Sequence, residues 1–288
     1  MRPLEEQTIL ITGATDGLGR ALALELAGGG ATVLLHGRDD ARGERAIDDI
    51  RQRTGNQRLH WYRADLAALD EVRDLAGRVG SDHERLDVLV NNAGIGAIEP
   101  GGGRRALSRD GLELRFAVNY LSHYLLTALL RPLLQRSAPA RIVNVSSGGQ
   151  APIDFDDVML ERGYDGMRAY AQSKLAQVMN TFDLAEELRD SAVTANCLHP
   201  ATYMPTKMVV EAGVSPLSTL EQGVRATMRL VAGRELDGVT GHYFNGPREA
   251  RAHPQAYDLQ ARRRLRQLSD QLTGEVVGGR AGRASGPG

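Results

Sequence analysis

The 288-residue chain holds one cysteine, Cys197, and two lysines, Lys174 and Lys207. A lone cysteine excludes an intrachain disulfide and any zinc cluster built on several thiolates. The scattered histidines and acids show no metal-ligand spacing, so no metal site is expected. No apolar run reaches the roughly 18 residues that a membrane helix requires. The first strand-like segment begins by residue 7, which leaves no room for a signal peptide, so a cytoplasmic protein is expected. A basic excess is missing too. Lys and Arg together number 35 against 36 Asp and Glu, for a net charge of −1, and neither nucleic acid nor a membrane is expected as a partner. The run Arg262-Arg263-Arg264 reads as the wet face of a late helix. No internal repeat or break in composition demands a second domain.

What is present is a series of short apolar segments alternating with helical patterns. Residues 8–12 read as a buried strand. They run into Gly13-Ala14-Thr15-Asp16-Gly17-Leu18-Gly19 and then into a helical stretch over 20–27. Glycines at a strand-to-helix turn let backbone approach a phosphate, and the helix N-terminus offers amides and partial positive charge. The spacing is Thr-Gly-x-x-x-Gly-x-Gly, not the commoner Gly-x-Gly-x-x-Gly. A second strand over 32–35 leads to Arg38 and Asp39. At the tip of that strand an acid accepts from a ribose 2′-hydroxyl, whereas an arginine suits a 2′-phosphate. Arg38 therefore favours NADP(H) over NAD(H), with Asp39 competing and Asp16 slightly disfavouring an added phosphate.

Further strands are predicted over 59–63, 86–90, 141–145, 193–198 and 241–244. Helices are predicted over 41–53 and 69–79, through Asn119 to 134, and over 167–189 and 255–272. Repeated βα units imply a doubly wound parallel sheet of seven strands, with helices on both faces. The domain is expected to span 1–273, with 274–288 a disordered low-complexity tail. Gly101-Gly102-Gly103-Arg104 reads as a flexible loop, 150–168 as a long functional connection and 202–218 as a lid.

Chemistry concentrates at Tyr170-Ala171-Gln172-Ser173-Lys174. Residues four apart share a helix face, so a phenol and an ammonium enter one space. A nearby positive charge lowers a tyrosine pKa from its ordinary ~10, which fits Tyr170 for proton transfer. A chain that uses arginine almost everywhere has kept lysine here, where a compact, tunable ammonium differs from a guanidinium.

These segments resemble the short-chain dehydrogenases/reductases, closest in pattern to the retinol-dehydrogenase-like branch. The shared features are Thr12-Gly13-x-x-x-Gly17-x-Gly19, Asp65, Asn91-Asn92-Ala93-Gly94, Asn119, Ser147, Tyr170-x-x-x-Lys174 and His199-Pro200, spread over about residues 7–247. The resemblance implies a single Rossmann domain and a catalytic set of Asn119, Ser147, Tyr170 and Lys174. Ser147 would hold the substrate oxygen, with Ser146 as fallback, and Asn119 would hold a water leading to Lys174. Cofactor contacts are implied for Gly13, Thr15, Asp16, Gly17, Leu18, Gly19, Arg38, Asp65, Leu66, Asn92, Ala93, Gly94, Tyr170, Lys174 and Pro200.

The chain departs from the family pattern at Ala201, where glycine is usual. Its long 150–168 connection and late helix leave a homodimer, a homotetramer and a monomer all open. The implied activity is carbonyl–alcohol interconversion on a small molecule. Gly96, Ile98, Ile153, Phe155, Met159, Met204 and Met208 suggest an apolar cavity, flanked by Tyr164 and Tyr203. His123 is assigned to packing. The competing readings are a dinucleotide sensor without chemistry and a sugar-nucleotide epimerase or dehydratase.

Overall fold

In the computed structural model, which describes residues 1–98 and 104–274, the apolar segments become strands and the stretches between them helices. In chain order these are β1 (Thr8–Ile11), α1 (Gly17–Gly28), β2 (Thr32–Gly37), α2 (Asp40–Thr54), β3 (Leu59–Arg63), α3 (Leu69–Asp82) and β4 (Val88–Asn91). There follow α4 (Leu114–Phe116), α5 (Ser122–Arg136), β5 (Ala140–Val145), α6 (Gly166–Glu187), β6 (Val193–His199) and α7 (Lys207–Glu211). The described part closes with α8 (Leu220–Ala232), β7 (Tyr243–Asn245), β8 (Arg248–Ala250) and α9 (Leu259–Thr273).

The strands form one sheet in the order β3-β2-β1-β4-β5-β6-β7-β8. The central strand β1 pairs with β2 through Leu10 and Leu34, and with β4 through Leu10 and Leu89. Successive strand residues point to opposite faces, so the sheet divides two cores. Leu10, Leu34 and Leu89 pack with residues of α3, α5 and α6, whereas Ile9, Ile11, Val33 and Val90 pack with α1, α2 and α8. Ile9, Leu10 and Ile11 are wholly removed from water, each worth about 1.5–3 kcal/mol. The order reverses between β1 and β4, so the loops leaving their carboxyl ends diverge and open a crevice, the place where such sheets bind ligands.

The sheet has eight strands, not seven, and the last pairing, β7 with β8, is antiparallel. A sequence signal for it existed in Gly246, since glycine at the first position of a two-residue loop suits a tight hairpin, and Gly246 takes φ +58° there, between the paired Asn245 and Arg248. The brevity and polarity of Arg248–Ala250 hid it. Helix α8 was likewise unforeseen, although Thr219 and Gln222 close a reciprocal capping box at its start of the kind readable from sequence. The helix expected to run through Asn119 is broken: α4 gives way to a wider π-helical turn over Ala117–Leu121 before α5 begins. Gly101 to Gly103 and the expected tail from 275 onward lie outside the described residues.

Candidate active site

The glycine turn after β1 is held by polar contacts from three strands. Gly13 takes φ +68° and Gly17 φ +50°, the left-handed region that glycine enters freely. A Cβ on Gly19 would lie 2.2 Å from the Gly13 carbonyl oxygen and 2.5 Å from Asn92 Nδ2. Asn92 Nδ2 in turn donates to Thr12 O (2.8 Å) and Gly13 O (3.2 Å). His36, buried at the end of β2, accepts from Gly13 N through Nδ1 (3.3 Å) and donates from Nε2 to Ala64 O (3.1 Å). Burial lowers its pKa to about 4, so the ring is neutral. Sequence reading passed over this histidine. The turn thus offers a backbone cradle at the start of α1 that side chains would fill, which fits a pyrophosphate.

Beyond the glycine turn, Arg38 is exposed after the tip of β2. Asp16 caps α1, accepting from Gly17 N at 2.7 Å, and pairs with Arg42 Nη2 at 3.0 Å. Asp39 is engaged as the cap of α2, accepting from Arg42 N. The indole of Trp61 lies across Gly37 and Gly43, where added Cβ atoms would come within 2.7 and 2.3 Å of it, and its Nε1 donates to Asp40. Asp65 accepts from Ala67 N (3.0 Å) and lies 3.9 Å from Arg109.

Helix α6 starts at a cap from Asp165, which accepts from Met167 N. It carries Tyr170 and Lys174 on one face, with Lys174 Nζ 5.8 Å from the centre of the Tyr170 ring. Lys174 is buried, donates to Val145 O and Gln177 Oε1 at 3.0 Å each, and is driven by burial to a pKa of about 7. The sequence led us to expect a lowered Tyr170 pKa. The structure gives the reverse: burial raises it, against an opposing hydrogen-bond interaction with Ser147.

The two serines divide. Ser146 Oγ donates to the Lys174 carbonyl at 2.8 Å and is used up in anchoring α6, whereas Ser147 faces Tyr170. Asn119 lies on the π-helical turn, with Oδ1 accepting from Ile95 N (2.8 Å) and Nδ2 donating to Ile95 O and Ser173 Oγ. The Gly94 backbone passes beside both Asn119 and Lys174: a Cβ there would be 3.3 Å from Asn119 Oδ1 and 3.5 Å from Lys174 Nζ.

The apolar residues expected to line one cavity are dispersed. Ile153 is buried in the core, Phe155 lies under Arg264, and Met204 packs against α8 at Gly223. Gly96 and Met208 meet, with a Cβ on Gly96 coming within 2.8 Å of Met208, and Phe155 and Met159 pack against the same core as Ile153. The 202–218 segment also brings Thr206 against Gly17. Ala201 takes no left-handed conformation; that falls to Tyr203, at φ +47°. Tyr164 is committed elsewhere. Its hydroxyl accepts from Arg115 Nη1 (2.6 Å) and donates to Glu113 Oε1 (2.9 Å), while Arg115 also donates to Gly96 O and Ala97 O. A cavity of about 240 Å³ exists at the other end of the sheet, lined by Met1, Arg141, Ser191 and Asp237, among others. None of the residues singled out from the sequence lines it.

A glycine cradle at the crevice of a doubly wound sheet, facing a half-buried tyrosine beside a buried lysine, defines a dinucleotide-dependent oxidoreductase. The chain belongs to the short chain dehydrogenase family, whose profile matches residues 7–214. It is 39% identical to retinol dehydrogenase 13 of Mus musculus, over 93% of this chain and 84% of that protein. It is 37% identical to retinol dehydrogenase 14 of Homo sapiens, over 93% and 86%. Among solved structures, an uncharacterized protein from Mycobacterium Paratuberculosis superposes with a TM-score of 0.76 at 31% identity, covering 94% of this chain and 95% of that one. A short chain dehydrogenase from Escherichia coli CFT073 complexed with NADPH gives 0.69 at 29% identity, over 84% and 97%. Among the described residues no helix is long and apolar enough to cross a membrane, and no group of three or more His, Cys, Asp or Glu could hold a metal.

Proposed function

We propose that this oxidoreductase interconverts a ketone or aldehyde and an alcohol with NADP(H), using Tyr170 as proton donor and acceptor. The observation that carries the reading is a cluster in which Ser147 meets the Tyr170 hydroxyl, Lys174 Nζ lies 5.8 Å from the Tyr170 ring centre, and the Gly94 backbone runs beside both Lys174 and Asn119. The reduced nicotinamide, when bound, supplies the hydride. Ser147 holds the substrate oxygen beside the phenol. Tyr170 delivers a proton to that oxygen in reduction and takes it back in oxidation. An ammonium on Lys174 favours the phenolate and so eases proton release. Asn119 is fixed by Ile95 and Ser173 and holds a water that leads to Lys174 for proton resupply.

For the phosphate, Gly13, Gly17 and Gly19 supply the cradle, with Thr15, Asp16 and Leu18 between them. Asp65 and Leu66 adjoin the adenine side; Asn92, Ala93 and Pro200 complete the wall. Arg38 supports NADP(H), because the charge of Asp16 is taken up by Arg42 and Asp39 is spent on a helix cap. The relatives' names bring an apolar alcohol or aldehyde such as retinaldehyde into the substrate panel. The test is NADPH consumption over a panel of ketones and aldehydes, with NADH as control and Tyr170→Phe beside the parent enzyme. Turnover should vanish in Tyr170→Phe while NADPH binding persists. Undiminished turnover in that variant would remove Tyr170 from the chemistry.

A further inference from the structure

Behind Lys174 lies a buried polar chain that the mechanism above does not use. Gln177, one turn further along α6, accepts from Lys174 Nζ through Oε1 at 3.0 Å. Its Nε2 lies 3.1 Å from His123 Nδ1, and His123 Nε2 lies 3.4 Å from Thr12 Oγ1. Thr12 Oγ1 accepts from Asn92 N (2.9 Å) and Ala93 N (3.0 Å). Lys174, Gln177, His123 and Thr12 are all at most 4% exposed. A dry chain therefore links the ammonium to the backbone that floors the glycine cradle.

Its donor and acceptor sense is constrained. His123 Nδ1 also lies 3.1 Å from the carbonyl oxygen of Asn119. That oxygen needs a proton on Nδ1, whereas the Gln177 NH2 needs Nδ1 bare; one nitrogen cannot serve both. Lys174 decides between them. An ammonium can only donate, so it holds the amide oxygen of Gln177 toward itself and turns the NH2 to His123 Nδ1. A neutral amine can also accept, so once Lys174 has lost its proton the amide is free to reverse.

We propose that Gln177 and His123 are positioning residues of the acid–base centre, Gln177 gripping the Lys174 ammonium and His123 holding the far end of the Gln177 amide. The proposal rests on the reading of Lys174 as the group that tunes Tyr170. The titratable groups facing Lys174 among the described residues are Tyr170 on its own helix and His123 from α5. His36, from β2, acts on His123 in turn. Burial holds His123 neutral, with a pKa down at about 3, and brings Lys174 to about 7, so the lysine is the partner that changes charge near neutrality.

The scarcity of lysine makes the test direct. With 13Cε-lysine, the full-length protein gives two lysine signals, and Lys207→Arg assigns the one from Lys174 by elimination. Titrating that signal reads the Lys174 midpoint without any substrate. Gln177→Met, an apolar replacement of similar length, removes the acceptor and should move the midpoint down. Gln177→Glu places a carboxylate there and should move it up by at least about one unit. His123→Phe should shift it in the direction of Gln177→Met, and the two changes combined should add little further.

Opposite shifts from the two Gln177 variants are a signature that a packing role does not produce. Midpoints unchanged in both folded Gln177 variants would overturn the grip. A His123→Phe midpoint equal to the parent's would overturn the part given to His123; if that variant does not fold, His123→Gln serves in its place. Because the readout is titration, these failures stand apart from the Tyr170→Phe assay, which alone tests the reading beneath.

Discussion

At the scale of single residues, the site rests on atoms that leave no room. Gly19→Ala forces a methyl to within 2.2 Å of the Gly13 carbonyl, and the turn must open. A cost of about 1–3 kcal/mol is expected from such overpacking. NADPH affinity should fall at least about tenfold, read by equilibrium titration, and the denaturation midpoint should fall with it. His36 gives a pH dependence with a definite sign. Its ordinary pKa is 6.5 and the fold holds it at about 4, so the unfolded chain binds a proton that the native state refuses between those values. Stability attributable to His36 is present above 6.5 and is lost as pH falls from 6.5 toward 4. The slope reaches about 1.4 kcal/mol per pH unit per group. His123 adds to the same fall, so His36→Gln should lessen the acid destabilisation without abolishing it, as urea titrations from pH 7 to pH 4.5 would measure. The glycines, Tyr170 and Lys174 stand out in the sequence because spacing puts them on one turn or one helix face, whereas the choice of Ser147 over Ser146 comes from the family resemblance. His36, Arg115 and Gln177 do not stand out, because their partners lie up to 54 residues away and no local pattern names them.

Among the elements, the loops that border the crevice are tied by one ion pair. Arg115 and Glu113 are fully buried, joined through Tyr164 to the 150–168 connection and through Gly96 and Ala97 to the loop after β4. Removing one partner of a buried pair costs about 3–5 kcal/mol because the other charge is left without compensation. Arg115→Met should therefore be strongly destabilised in urea. Tyr164→Phe, which removes only a hydroxyl that both donates and accepts, should lose about 1–3 kcal/mol. Its KM should rise more than its kcat falls if the two loops form the substrate walls. The regular elements were legible where a strand was continuously apolar or a helix amphipathic. The π-helical turn at Ala117–Leu121 was not, since its residues suit an α-helix equally well, and such turns gather at functional sites. The apolar residues of the connection and of the 202–218 segment were not legible for a related reason. Hydrophobicity says that Ile153 and Met204 are buried, not on which side of the sheet.

For the whole molecule, the decisive addition is α9, which lies along α5 and α6. Arg262 reaches Asp183 at 2.6 Å and Glu186 at 2.7 Å, Arg266 pairs with Glu187, and Tyr120 hydrogen-bonds Ser269 at 2.7 Å. Subunits can pair through this face only if α9 moves away. The full chain is therefore expected not to associate through it. A chain ending before Leu259 bares Tyr120, Tyr124 and Leu184 and should run as a dimer or larger species in size-exclusion chromatography with light scattering. Unchanged mass on truncation would show that the α5–α6 face is not sticky by itself.

Trp61 is the sole tryptophan of the chain; it stands on β3 with its indole against Gly37, the last residue of β2, and against Gly43, and the close fit leaves it no freedom. Reduced nicotinamide absorbs where tryptophan emits. Excitation of this one indole therefore reports the arrival of the reduced cofactor as quenching of its own emission and a rise in nicotinamide fluorescence. The oxidised form lacks that absorption band and can act only on the indole's local surroundings. The protein thus carries its own optical gauge of cofactor occupancy and oxidation state, readable before any substrate is known.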